Sequence, residues 1–213
     1  MKGRASVIML AMLAFGCASK TILVALPPKI DLQSYKTVGI VEFASEPTDA
    51  LNQVATQRFI AVIQASQPNV RFLELGPTAQ LLRSAGRERI DPETMKIVGR
   101  QHNVDTVFTG GYEISSLKPQ LSIGQDLSSM SASARVRISL SVKQWDTKSG
   151  ATLWTNARYG EWPVAKVRTG AGQPVLFSVS DPRDRYAEFM AELIGVVADD
   201  FRVHYERRPV ARR

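Results

Sequence analysis

The 213-residue chain has one cysteine and two histidines. A single thiol excludes an internal disulfide and a thiolate cluster for zinc, so stability has to come from an ordinary apolar core. His102 and His204 are not spaced as ligands on one helix face, and no metal site is expected. There is no G-x-S-x-G elbow and no Walker-type phosphate loop. Gly170-Ala171-Gly172 has Val175 where the third glycine of a dinucleotide loop would stand, and reads as a flexible loop. The carboxylate pairs Asp199/Asp200 and Asp181/Asp184 lie near helix ends, where caps and solvated charge are the ordinary roles. The expectation is a protein with no catalytic residues and no cofactor. Apolar runs of the roughly 20 residues that a membrane helix needs are also missing.

The longest apolar run, Ser6 to Phe15, follows Lys2 and Arg4 and leads to Gly16 and the lone Cys17. This is the basic, apolar and small-residue order of an export signal. Leu13-Ala14-Phe15-Gly16-Cys17 resembles the bacterial lipobox. That resemblance implies removal of residues 1–16 and acylation of Cys17, with the acyl chains as the membrane partner. Ala18 after the cysteine, instead of aspartate, resembles an outer-membrane sorting signal and implies a periplasmic domain.

The formal net charge is +7, but Lys2 and Arg4 leave with the signal and Arg207, Arg208, Arg212 and Arg213 lie in the tail 207–213. Those six account for all but one unit of the net charge, so residues 17–206 are nearly neutral and nucleic acid is not expected as a partner. The basic tail reads as a solvated end, with contact to anionic lipid phosphate as the alternative. Ala18 to Lys36 reads as a short tether reaching on the order of 60 Å at most. Within it Ile22 to Leu26 (ILVAL) is apolar and can pair as a strand.

A single domain is expected over residues 37–206. Thr37 to Phe43 predicts a buried strand, and Ala50 to Ala65 a helix with Leu51, Val54, Ala55, Ile60, Val62 and Ile63 inward. Val70 to Leu75 alternates as a strand does, and Thr78 to Ser84 forms a short helix ended by Gly86. Asp91-Pro92-Glu93 opens a further helix, because aspartate caps, proline suits the first helical position and glutamate complements the macrodipole. Val104 to Tyr112 is a strand in which Gly110-Gly111 marks a bulge or a close backbone approach.

The clearest alternation is Arg135 to Lys143, with Val136, Ile138, Leu140 and Val142 on one face. Its wet face, with Arg158 from the returning strand, carries a candidate basic binding stripe of Arg135, Arg137, Lys143 and Arg158. Asp146 to Gly150 is the turn and Ala151 to Tyr159 the return strand, with Trp145 and Trp154 expected as a cross-strand contact. Asp181-Pro182 starts the last helix, with Tyr186, Phe189, Met190, Leu193, Val197 and Phe201 as its core stripe. The order β-α-β-α-α-β-β-β-α indicates a mixed α/β (α+β) sandwich of two or three layers around a mixed sheet.

The pieces 37–43, 70–75, 102–114 and 136–154 resemble the envelope lipoproteins that share the TolB amino-terminal-like fold, including CsgG and LpoB. Asp105, Gly110, Asp146, Gly150, Leu153 and Trp154 occupy the corresponding positions. The resemblance implies a non-enzymatic module that docks to another envelope protein, or a homo-oligomer forming a secretion pore. In the pore branch, segments 115–134 and 159–180 would become membrane hairpins. Pro119, Pro163 and Pro174 interrupt them, so ordinary periplasmic loops are expected instead. An envelope hydrolase is the alternative of another class.

Overall fold

The computed structural model describes residues 21–45, 51–115, 118–123, 129–170, 176–179 and 182–209. Cys17, Arg212 and Arg213 lie outside the described residues. The chain divides into two compact units, Pro28–Arg202 and a smaller one from Met1–Pro27 and Val203–Arg213.

In the larger unit the elements run β2 (Val38–Ile40), α1 (Leu51–Ser66), β3 (Phe72–Glu74), α2 (Thr78–Ala85), α3 (Pro92–His102) and β4 (Thr106–Ile114). They continue with β5 (Lys118–Ile123), β6 (Ser129–Asp146), β7 (Thr152–Gly170), β8 (Leu176–Val179) and α4 (Pro182–Val197), followed by a 3-10 turn at Ala198–Phe201. The sheet order is β3-β2-β4-β6-β7-β8, with β5 also on β6. β2 is parallel to β3 and β4, and the remaining pairs are antiparallel. This is the mixed α/β class and the element order read from the sequence, with two short strands added.

Adjacent residues of β4 show how the layers form. Phe108 packs with the buried side chains of α1 and α4, whereas Val107 packs with Leu81 of α2 and Met95 and Val98 of α3. Successive strand residues point to opposite faces, so helices cover both sides over this part of the sheet. On the first face, Phe59, Phe108, Phe201 and Trp154 form edge-to-face contacts with centroids 4.8–6.4 Å apart.

Local chemistry sets the helix ends. Asp91 Oδ1 accepts from Thr94 N at 2.8 Å, and Pro92 is the first helical residue of α3. Asn103, at φ 53°, ends α3 with its N–H donating to Gly99 O. Gly86, at φ 64°, closes α2 in the left-handed conformation that glycine adopts freely. Gly110 is the close approach expected of its segment: a Cβ there would stand 2.7 Å from the Phe43 ring.

Several expectations need correction. In α1 the buried face is Leu51, Asn52, Ala55, Thr56, Phe59, Ile60 and Ile63, while Val54 is 43 % exposed. The buried polar pair is satisfied: Asn52 Oδ1 accepts from Tyr112 Oη at 2.8 Å, and Thr56 Oγ1 accepts from Phe43 N at 2.9 Å. Residues 28–36, read as part of a tether, instead pack into the larger unit. Leu32 is fully buried, and the buried side chain of Gln67 accepts from Leu32 N at 2.8 Å and donates to Ile30 O and Phe201 O at 2.9 Å. The one amide clasps the start and the end of this unit.

A β-bulge at Gln144/Trp145 corrects two further expectations. Trp145 pairs with Thr152 and Gln144 with Trp154, leaving Leu153 as the extra residue. One inserted residue exchanges the faces of everything beyond it. Trp154 therefore joins Phe108 and Phe201, while Trp145 joins the α2–α3 cluster, and the expected Trp145–Trp154 contact does not form.

Segments 115–134 and 159–180, expected as loops, contain paired strands. β5 pairs with β6 from Lys118↔Arg135 to Ile123↔Met130, and β7 pairs with β8 from Ala165↔Val179 to Arg168↔Leu176. Among the described residues no helix is long and apolar enough to cross a membrane, which leaves strands unaddressed.

The smaller unit is a two-stranded antiparallel ribbon. β1 (Thr21–Leu26) pairs with β9 (His204–Pro209) from Thr21↔Pro209 to Leu26↔His204. The apolar ILVAL run is thus a strand, and Arg207 and Arg208, read as part of a solvated tail, are strand residues.

Candidate functional site

The basic stripe is only partly assembled. Arg135, Arg137 and Lys143 alternate along the wet face of β6, but Arg158 pairs with Leu140, whose position belongs to the core face. The bulge after Gln144 is the cause: without it Arg158 would stand opposite Ser139 on the wet face. Of the three that remain together, Arg137 donates from both Nε and Nη2 to Glu161 Oε1, the first at 2.8 Å. Arg135 Nη1 lies 3.8 Å from Glu161 Oε2. The Arg137 guanidinium also sits 5.0 Å from the Tyr159 ring centroid, and Lys143 Nζ 4.7 Å from that of Trp145. One carboxylate shared by two guanidiniums leaves the stripe weakly cationic, which does not make a built anion site.

Beside the stripe lies a shallow groove of about 950 Å³. Its floor is made of Gly111, Ser139, Ser141 and Ala157, which follow one another across β4, β6 and β7, with Glu113 and Tyr159 along its margin.

On the opposite face Asp200 is bound and not freely solvated. Lys29 Nζ donates to Oδ1 at 2.9 Å and Trp154 Nε1 to Oδ2 at 3.1 Å, and these bonds hold the carboxyl below the usual range. Asp91 is lowered by its bonds from Thr94, and Asp146 by its bonds from Ser149. Each carboxylate is favoured ionised in the folded state. Its contribution is present above the ordinary aspartate value, about 3.9, and is lost as pH falls below it. Thermal melts between neutral pH and about pH 3 should show a falling melting temperature, and Asp200→Asn should flatten the fall. An Asp200→Asn variant with the wild-type acid dependence would refute the assignment. His102 closes α3 and His204 opens β9, and among the described residues no group of three or more His, Cys, Asp or Glu comes together.

The feature that sequence reasoning missed is the register of β5 to β8. Residues paired across strands share a face. The pairings sort Pro119, Leu121, Ile123, Met130, Ala132, Ala134, Ala165, Val167, Thr169, Phe177 and Val179 into one set, all but Thr169 apolar. The other set holds Gln120, Ser122, Ser129, Ser131, Ser133, Lys166, Arg168 and Ser178, with Leu176 as its apolar exception. The apolar set continues the row Val136, Ile138, Leu140 of β6, which is core in the larger unit. β5 and β8 each have a partner on one side only among the described strands.

No protein-family model and no curated protein sequence matches the chain. Among solved structures it is similar to the PelC dodecamer from Paraburkholderia phytofirmans, at 16% identity and a TM-score of 0.43, covering 86% of this chain and 98% of that one. It is also similar to the LpoB C-terminal domain from Salmonella enterica, at 10% identity and a TM-score of 0.33, covering 73% and 93%. A minor lipoprotein from Acinetobacter baumannii matches at 9% identity and a TM-score of 0.34, covering 78% and 87%. Likenesses this distant carry no argument about function.

Proposed function

We propose that the chain is an acylated envelope protein, anchored through Cys17 in the outer membrane, whose periplasmic domain works as a non-enzymatic binding and assembly module. The observation that carries the reading is the register of β5–β8, which gathers apolar positions from four strands onto one face. At strand spacings of about 4.8 Å and a rise of about 3.3 Å per residue, this face covers on the order of 300 Å². An apolar face of that extent is comparable with the largest patch of an ordinary monomer, which is often functional. The run before Cys17 supplies the envelope address.

Among the described residues β5 has 6 and β8 has 4, against the roughly 9 to 11 that a membrane-crossing strand requires, and a protein is taken as the occupant of the apolar face. Two one-sided strands, β5 and β8, favour a second reading, in which β8 of one copy pairs with β5 of the next and closes a CsgG-like ring as a secretion-pore protomer.

Photo-crosslinking in intact envelopes separates the two. A photoreactive residue at Leu121 or Val167 should give an adduct with one envelope protein, and one at Ser131 or Lys166 should not. Adducts only between copies of the chain, with a large detergent-stable particle by size-exclusion chromatography and light scattering, would install the ring reading. No protein adduct from either apolar position would overturn both.

A further inference from the structure

The ribbon of β1 and β9 is unusual in what it pairs. Its antiparallel register sets Ile22 against Arg208 and Leu23 against Arg207. Thr21 is four residues after Cys17, so the covalent chain holds this end of the ribbon within about 14 Å of the cysteine. Pro209, paired with Thr21, is thereby placed at the end of the ribbon that the cysteine's chain leads into.

Residues that pair share a face, so Leu23, Ala25, Tyr205 and Arg207 form one row. Leu23 is 62% exposed and Tyr205 65%, and Arg207 is exposed as well. An apolar residue, a tyrosine and an arginine on one open face match a membrane–water boundary, where an aromatic ring keeps one wet edge and an arginine reaches headgroup phosphate. A two-stranded ribbon is marginally stable in water, and a surface to lie on removes that deficit.

Charge points the same way. Segments 18–26 and 204–213 carry five cationic side chains, Lys20, Arg207, Arg208, Arg212 and Arg213, against one acidic side chain, Glu206. Glu206 is engaged with Arg208 at 3.0 Å, but both side chains are more than half exposed, so a phosphate can displace it.

We propose that this ribbon is a phospholipid-binding surface: Leu23 and Tyr205 enter the boundary layer and Arg207, on the same face, engages the phosphates of anionic headgroups, while Arg208, paired with Ile22 on the other face, adds positive charge within a Debye length of the surface. The proposal rests on the acylation of Cys17 only for the choice of membrane, and its test uses acyl-free protein so that the two fail separately.

The mature chain carrying Cys17→Ser is mixed with vesicles of phosphatidylcholine alone and of equimolar phosphatidylcholine and phosphatidylglycerol, and bound protein is measured by sedimentation. Binding is expected to the anionic vesicles, with loss at high salt. An arginine at the surface is worth about fivefold in affinity, so Arg207→Ala should weaken binding by about fivefold, and Arg207→Ala/Arg208→Ala by more than that and by no more than about 25-fold. Leu23→Ser/Tyr205→Ser should weaken it at unchanged salt dependence. Arg83→Ala/Arg100→Ala, which removes the same charge from exposed positions of α2 and α3, should leave it unchanged. An unaltered melting temperature of the larger unit in each variant shows that folding is intact. Equal binding to both vesicles, or equal losses from the two arginine pairs, would overturn the proposal. A ribbon that ignores vesicles but crosslinks to a protein in intact envelopes would overturn it in favour of a protein partner.

Discussion

Leu140→Asp is expected to unfold the larger unit, and Val136→Asp to do the same. Both wild-type side chains are at most 1% exposed and belong to the core that α1 and α4 cover. A carboxylate there has no partner, and burying it costs several kcal/mol against a total stability of roughly 5 to 15 kcal/mol for a domain of ordinary size. The neighbouring Arg137→Ala should leave the melting temperature nearly unchanged. Its side chain is 47% exposed, and its bond to Glu161 is an exposed ion pair. Circular-dichroism melts of the three variants decide the matter. Equal destabilisation at Arg137 and Leu140 would mean that the two faces of β6 are exchanged.

That face assignment was legible because strict alternation over Arg135 to Lys143 has one physical solution. The start of α3 was legible for a similar reason, since Asp91 and Pro92 each act within a few residues of themselves. The α4 stripe also held: Phe189, Met190, Leu193, Val197 and Phe201 are buried, and Tyr186 packs against them. What escaped notice depends on partners distant in sequence or on a single inserted residue. The bulge at Leu153 redirected Trp154 and Arg158 together, and nothing in the local sequence announces it.

β5 and the first part of β6 were obscured because β5 offers only Pro119, Leu121 and Ile123 in a short run, and the apolar positions of β6 there are methionine and alanine between serines. Only pairing across four strands brings the amphipathic set into view. The clasp of Gln67 on Leu32, Ile30 and Phe201 requires the folded chain. The β1–β9 pairing joins residues from the two ends of the chain, so ILVAL was legible as a possible strand but its partner was not.

Cys17→Ser is expected to move the protein from the membrane to the soluble fraction. The motivation is the order of Lys2, Arg4, the apolar run to Phe15, Gly16 and the lone cysteine. A single myristoyl-sized chain supports only marginal, reversible membrane binding, with an association constant on the order of 10⁴ M⁻¹, because each buried methylene contributes about 0.8 kcal/mol. Firm anchoring needs two signals, either further acyl chains or a basic surface beside the first. If the ribbon supplies such a surface, the serine variant should keep a weak, salt-sensitive association that Arg207→Ala/Arg208→Ala removes. Wild-type protein should stay in the membrane fraction through the same salt wash. Labelled fatty acid should enter the wild type and not the variant. Incorporation into the serine variant, or none into the wild type, would refute acylation at Cys17 and leave the ribbon's arginines as the test of any remaining membrane contact.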